Sequence, residues 1–168
     1  MADQGPQPDS DYACAQAWTA LSAAHALVTD ELTAALEAAC GLSSHEFDVL
    51  LRVQHAADGG LRLGALGKMI RLSQPSLSRA VARLEGQGWL RRSGAPGDGR
   101  GVLVSITEAG GRVLARGVAA HARTIRSLLL DRLTPDEQEL LARALTRVAT
   151  GAPASRKETS WHSQPRSA

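Results

Sequence analysis

Apolar side chains recur at steps of four and three near the start of the chain. Cys14, Trp18, Leu21, Val28, Leu32 and Leu36 fall on one stripe, with His25 in its middle. That spacing predicts an amphipathic helix, and Gly41 supplies a left-handed stop for it. Ser43 or Ser44 caps a second helix whose Phe47, Leu50, Leu51 and Gln54 keep the same period. Asp58-Gly59-Gly60 is a turn signal. A short third helix is expected over about 63–70, with Leu63, Leu66 and Ile70 inward. Its Gly64 and Gly67 each cost about 1 kcal/mol relative to Ala, so it must lean on its neighbours.

Ser73 can cap a fourth helix over about 74–87, with Pro75 tolerated in its first turn. Leu77, Ala80, Val81 and Leu84 make one narrow apolar face. The opposite face carries Pro75, Arg79, Ala82 and Gly86, flanked by Ser76, Ser78 and Arg83. A solvated face usually carries long Glu and Lys pairs. Small residues around arginines instead let a helix sit deep in a groove, where Arg, Ser and Gln reach base edges and phosphates. An ordinary amphipathic helix is the alternative.

Gly88 ends that helix. Residues 89–92 (Trp-Leu-Arg-Arg) and 102–106 (Val-Leu-Val-Ser-Ile) predict two strands, joined by a long Gly- and Pro-rich loop over 93–101. Thr107 caps a helix over about 108–131, with Val113, Leu114, Val118, Ile125, Leu128 and Leu129 on its apolar face. Thr134-Pro135-Asp136-Glu137 starts a final helix bearing Leu140, Leu141, Leu145 and Val148. The expected fold class is mainly α with a small β wing: a winged helix-turn-helix flanked by helices. The expected division is a disordered 1–10, a pairing helix over 11–42, the winged unit over 43–107, pairing helices over 108–150 and a disordered tail over 151–168.

Charge sharpens this pattern. Residues 1–51 hold eight acids and no Lys or Arg, whereas residues 61–100 hold eight bases against Glu85 and Asp98. A basic block in an otherwise acidic or neutral chain is the footprint of a phosphate-binding surface. Aromatics are only 3% of the 168 residues, so the core must come from aliphatic side chains, which suits helices. No apolar run is long enough to span a membrane. The acidic N-terminal stretch argues against a secretory signal, and a cytoplasmic location is expected. Cys14 and Cys40 show no metal-ligand spacing. No phosphate-binding glycine loop, Gly-x-Ser-x-Gly elbow or His-Glu-x-x-His is present, so no enzymatic activity and no cofactor are expected.

An ordered set of motifs resembles the multiple-antibiotic-resistance regulator (MarR) family from about Leu42 to Val148. They are Ser73-Gln74-Pro75-Ser76-Leu77-Ser78-Arg79, then Val81-Ala82-Arg83-Leu84-Glu85 through Trp89-Leu90, then Asp98-Gly99-Arg100 and Thr107-Glu108-Ala109-Gly110. Gly67 stands where the family often has Ala. The resemblance implies a homodimer on a pseudo-palindromic operator in double-stranded DNA, with the fourth helix in the major groove. It also implies that Asp98 holds Arg100, which reaches phosphates or the minor groove. The candidate DNA contacts are Gln74, Ser76, Ser78, Arg79, Arg83, Arg92, Asp98 and Arg100.

Ligand-responsive members place a pocket between the pairing helices and the winged unit. On that resemblance Trp18, His25, Asp48 and Arg52 are the candidate lining, since an Arg and an aromatic suit a small carboxylate or phenolate. Core and surface packing is the alternative for each. A repressor released by a small aromatic or acidic ligand is the leading expectation. A redox regulator using Cys14, supported only by Tyr12, and an interaction module without DNA binding are the alternatives. For Cys14 a buried, inert thiol is expected. Glu46 and His121 lack the partners that a zinc site needs.

Overall fold

The computed structural model describes residues 8–56, 59–70, 72–95 and 98–151. The elements run α1 (Pro8–Cys40), α2 (Ser44–Gln54), β1 (Leu61–Arg62), α3 (Leu63–Met69), α4 (Gln74–Gly86), β2 (Leu90–Ala95), β3 (Asp98–Ile106), α5 (Glu108–Ile125), a π-helical turn (Arg126–Leu130) and α6 (Pro135–Thr150). This is the expected winged helix with flanking helices. Residues 1–7 and 152–168, on which the expectations of disorder mostly fall, lie outside the described residues, as do Asp58 and Arg71.

Local chemistry accounts for the helix ends. Gly41 and Gly88 take φ of 66° and 72°, a conformation that side-chain-bearing residues resist. Ser43 accepts from the Glu46 amide while the Glu46 carboxylate accepts from the Ser43 amide, which is a reciprocal capping box at the start of α2. Thr134 and Glu137 repeat the device at α6. Ser73 caps α4 through the Ser76 amide, and Thr107 caps α5 through the Gly110 amide. Thr107 also donates to the Gly88 carbonyl at 2.7 Å, tying the start of α5 to the end of α4.

The core sits inside the winged unit. Leu42, Val49, Leu50, Leu66, Leu77, Val81, Leu84, Leu90 and Val104 are essentially fully buried, drawing on α2, α3, α4, β2 and β3. Close approach fixes two glycines of α5. A Cβ on Gly110 would lie 2.1 Å from the Trp89 carbonyl oxygen, and one on Gly117 would lie 3.0 Å from the Phe47 ring. Gly67 is also confined, since a Cβ there would lie 3.0 Å from Nε2 of Gln74.

The sheet departs from expectation. It has three antiparallel strands in the order β1-β3-β2, because Leu61 and Arg62, assigned to no element from the sequence, pair with Val104 and Leu103. The hairpin also extends further than its branched residues suggest. Ser93 pairs with Leu103, Gly94 with Val102 and Ala95 with Asp98, with an irregularity between Gly94 and Ala95. Backbone pairing needs amides and carbonyls, not β-branched side chains, so a glycine-rich segment can continue the ladder.

The flanking helices leave much of their apolar surface uncovered by the described residues of the single chain, and the expectation for Cys14 is corrected. Of the α1 stripe only Leu36 is buried; Val28 and Leu32 are half-buried, and Trp18 remains 69% exposed. Cys14 is exposed, not buried, because nothing among the described residues packs over the first half of α1. Val118 also points outward, and α5 buries Gly117 and Ala120 in its place. On α6, Leu140, Leu141, Leu145 and Val148 are all exposed, with Val148 at 66%.

Candidate nucleic-acid interface

The Ser73 cap orients α4 so that Leu77, Val81 and Leu84 enter the core. Gln74, Pro75, Ser78, Arg79, Ala82 and Gly86 are left exposed. A short hydrogen-bond chain preorganises the guanidinium on this face. The Ser73 hydroxyl donates to Ser76 Oγ at 2.9 Å, and Arg79 Nη2 donates to the same oxygen at 3.2 Å. Ser76, half-buried, thus serves as a support for Arg79. The face is small, cationic and open.

Two arginines at the root of the hairpin are also exposed. Arg91 Nε donates to Ser105 Oγ at 2.9 Å. Arg92 Nε lies 3.2 Å from Glu85 Oε2, so the root of the wing is tethered to the end of α4. The side chains of Asp98 and Arg100 lie outside the described residues; their backbones belong to the start of β3.

Arg83 behaves differently from Arg79, one helical turn away. Its Nη1 donates to Glu46 Oε2, and its Nη2 donates to the Gly41 carbonyl at 3.2 Å. Glu46 is buried, and the same Oε2 accepts from the Ser43 amide at 3.0 Å and the Ser43 hydroxyl at 2.8 Å. Burial pushes the Glu46 carboxyl up, but the hydrogen bonds from Arg83 and Ser43 outweigh it and hold the group below the usual carboxylate value. The spacing Ser43-x-x-Glu46 could have signalled the cap. Nothing local signals the link to Arg83.

A cavity of about 280 Å³ opens between α1, α2, the end of α3 and α5. Asp48 and Arg52 are in its wall, joined by a 2.9 Å ion pair, together with His45, Phe47, Ile70 and His121. Trp18 and His25 are outside that wall, on the exposed part of α1. Phe47 and His121 stack with ring centroids 5.5 Å apart. Burial lowers the His121 imidazole below its ordinary value. Among the described residues no group of His, Cys, Asp and Glu is placed to hold a metal ion.

An exposed, arginine-bearing α4, following α3 through a short turn and lying beside a basic β hairpin, defines the winged-helix class of nucleic-acid-binding folds. The family model described as "MarR family" matches residues 41–101. The structure superposes on Sco3205 of Streptomyces coelicolor, a MarR family transcriptional regulator solved in complex with DNA. The TM-score is 0.75 at 30% identity, covering 90% of this chain and 96% of that one. The chain belongs to the MarR family. Among other relatives, it is 34% identical over 92 residues to the HTH-type transcriptional regulator ML2140 of Mycobacterium leprae, covering 53% of this chain and 62% of the relative. It is 30% identical over 89 residues to the HTH-type transcriptional regulator PecS of Dickeya dadantii, covering 52% of this chain and 54% of the relative. The match therefore spans little more than half the length of these two relatives.

Proposed function

We propose that this chain is a transcription regulator that binds duplex DNA as a homodimer on a pseudo-palindromic operator. The observation that carries the reading is the outer face of α4, where Arg79 is held by Ser76, itself bonded to Ser73, amid small side chains. Gln74, Ser78 and Arg79 face the major groove; Arg92 and Arg100 meet the backbone from the hairpin, with Asp98 steadying Arg100. The likeness to Sco3205, which was solved with DNA bound, supports the same assignment.

The pairing surface is α1 with the π-helical turn and α6. Their exposed Trp18, Leu21, Leu140, Leu141, Leu145 and Val148 form apolar area that the described residues of the single chain do not cover. A two-fold pairing repeats α4 on one side of the dimer, as an inverted repeat requires. The regulator acts as a cytoplasmic repressor and is released by a small aromatic or acidic ligand in the cavity beside Arg52. Phe47 and His121 offer that ligand an aromatic wall, and Arg52 a partly neutralised cation.

Mobility-shift titrations over a salt series test the reading. Arg100→Ala should weaken binding to all duplexes and lower the salt slope by about one counterion. Arg79→Ala should lose affinity and base discrimination together. Operator binding as tight as wild type by both variants would refute the interface.

A further inference from the structure

Helical spacing puts Arg83 one turn beyond Arg79, where a second phosphate contact would be expected. Its guanidinium is already engaged. The two partners, Glu46 and Gly41, lie 37 and 42 residues away in sequence, at the start of α2 and the end of α1. One buried carboxylate oxygen therefore joins the cap of α2 to the middle of α4. Exposed ion pairs contribute little. This one differs, because the carboxylate is buried and breaking such a pair leaves a charge stranded. The planar fork of an arginine also matches two acceptors that a lysine could not reach together.

We propose that Arg83 and Glu46 are positioning residues for DNA recognition: the pair clamps α4 to the α1–α2 joint and sets the angle at which Arg79 is presented. Arg83 neutralises no phosphate. The inference rests on the DNA-binding reading above and gives the cavity a route to the interface. Ser44, His45, Phe47 and Asp48 wall the cavity and flank Glu46 in sequence, so a shift in the first turn of α2 is carried through Glu46 to α4.

The clamp and a phosphate contact predict opposite signs for Glu46→Gln. Were Arg83 a phosphate ligand, removing its competing carboxylate would strengthen DNA binding. Were it a clamp, the same change would weaken binding. Glutamine also serves in a capping box, so α2 stays capped in this variant. The probe is a labelled duplex selected from a random-sequence pool by the wild-type protein, titrated by anisotropy over a salt series, with active fractions set by stoichiometric titration. Glu46→Gln and Arg83→Lys are each expected to weaken binding about tenfold, the scale of coupling within one network. The Glu46→Gln/Arg83→Gln double variant should be no weaker than Arg83→Gln alone, and all should keep the wild-type salt slope. Wild-type or tighter binding by Glu46→Gln, or a slope lowered by about one counterion in Arg83→Gln, overturns the clamp and leaves the regulator reading standing. A wild-type protein that selects no duplex removes that reading and the clamp with it.

Discussion

Phe47 of α2 lies nearly parallel to His121 of α5, with an interplanar angle of 18° and ring centroids 5.5 Å apart. The stack closes one side of the cavity, and Gly117, one turn before His121, makes room for the Phe47 ring. Burial favours the neutral imidazole here, because a charged ring would lose its hydration. The folded protein thus binds a proton at His121 less readily than the unfolded chain does. Stability from this site is full above the ordinary histidine value of about 6.5 and is lost as pH falls through that value toward the folded one. Urea midpoints measured from about pH 7.5 downward should fall in this window for wild type. They should fall less for His121→Phe, which keeps an aromatic against Phe47. Equal slopes in the two proteins would show that the imidazole is not the group responsible.

The Glu46 carboxyl is shifted in the opposite sense of charge and titrates elsewhere. Its folded value lies below the ordinary carboxylate value of about 4.3. Its stabilisation is therefore present above that value and is lost as pH falls further. Glu46→Gln should flatten the acid limb of the stability curve below about pH 4.3 and leave the neutral limb unchanged. Acid titrations followed by circular dichroism separate the two limbs.

Gly110→Ala should be among the most damaging small substitutions in the chain. The added methyl would meet backbone, the Trp89 carbonyl oxygen at 2.1 Å, and not the end of a flexible side chain. Overpacking of this kind costs about 3 kcal/mol. Because Trp89 leads into the wing, the loss in urea denaturation should be accompanied by weaker DNA binding.

Thr134→Ala should cost about 1 kcal/mol, the usual consequence of losing an N-cap. The Thr134 hydroxyl accepts from the Glu137 amide and donates to its carboxylate, and both bonds go, while the Thr134 backbone amide keeps its own bond to Glu137. Glu137→Gln keeps the box and should cost less. Thermal melts of the two variants give the order directly.

Leu145→Glu on α6 should convert a dimer to a monomer in sedimentation velocity runs. The side chain is exposed in the single chain, so the substitution leaves the winged core intact. A variant that stays dimeric would place the pairing surface elsewhere.

Helices and caps were readable from sequence because both follow short-range rules. The step of three and four defined α1, α4 and α6, and Ser73, Thr107 and Thr134 marked their starts or those of their neighbours. The two-residue β1 was not readable, since its only justification is pairing with Leu103 and Val104 some forty positions later. The length of the wing was underestimated for a related reason: Gly94 and Ala95 carry no strand preference and are held by their partners. At the interface, Gln74, Ser78 and Arg79 followed from helical phase, whereas the engagement of Arg83 by Glu46 depended on a tertiary approach. Asp48 and Arg52 reached the cavity because α2 is short and packed. Trp18 and His25 share the α1 stripe but extend past the body of the chain that could have enclosed them.

With β3 occupied on both sides by β1 and β2, the outer edge of β2 is the longer of the two edges of this sheet among the described residues. An open edge of that kind offers unpaired amides to any foreign strand and is a common seed of aggregation. Here the strand carries Arg91 and Arg92 in sequence, both exposed. Their mutual repulsion between copies deters edge-to-edge stacking, so the residues that suit a polyanion also keep the sheet from polymerising.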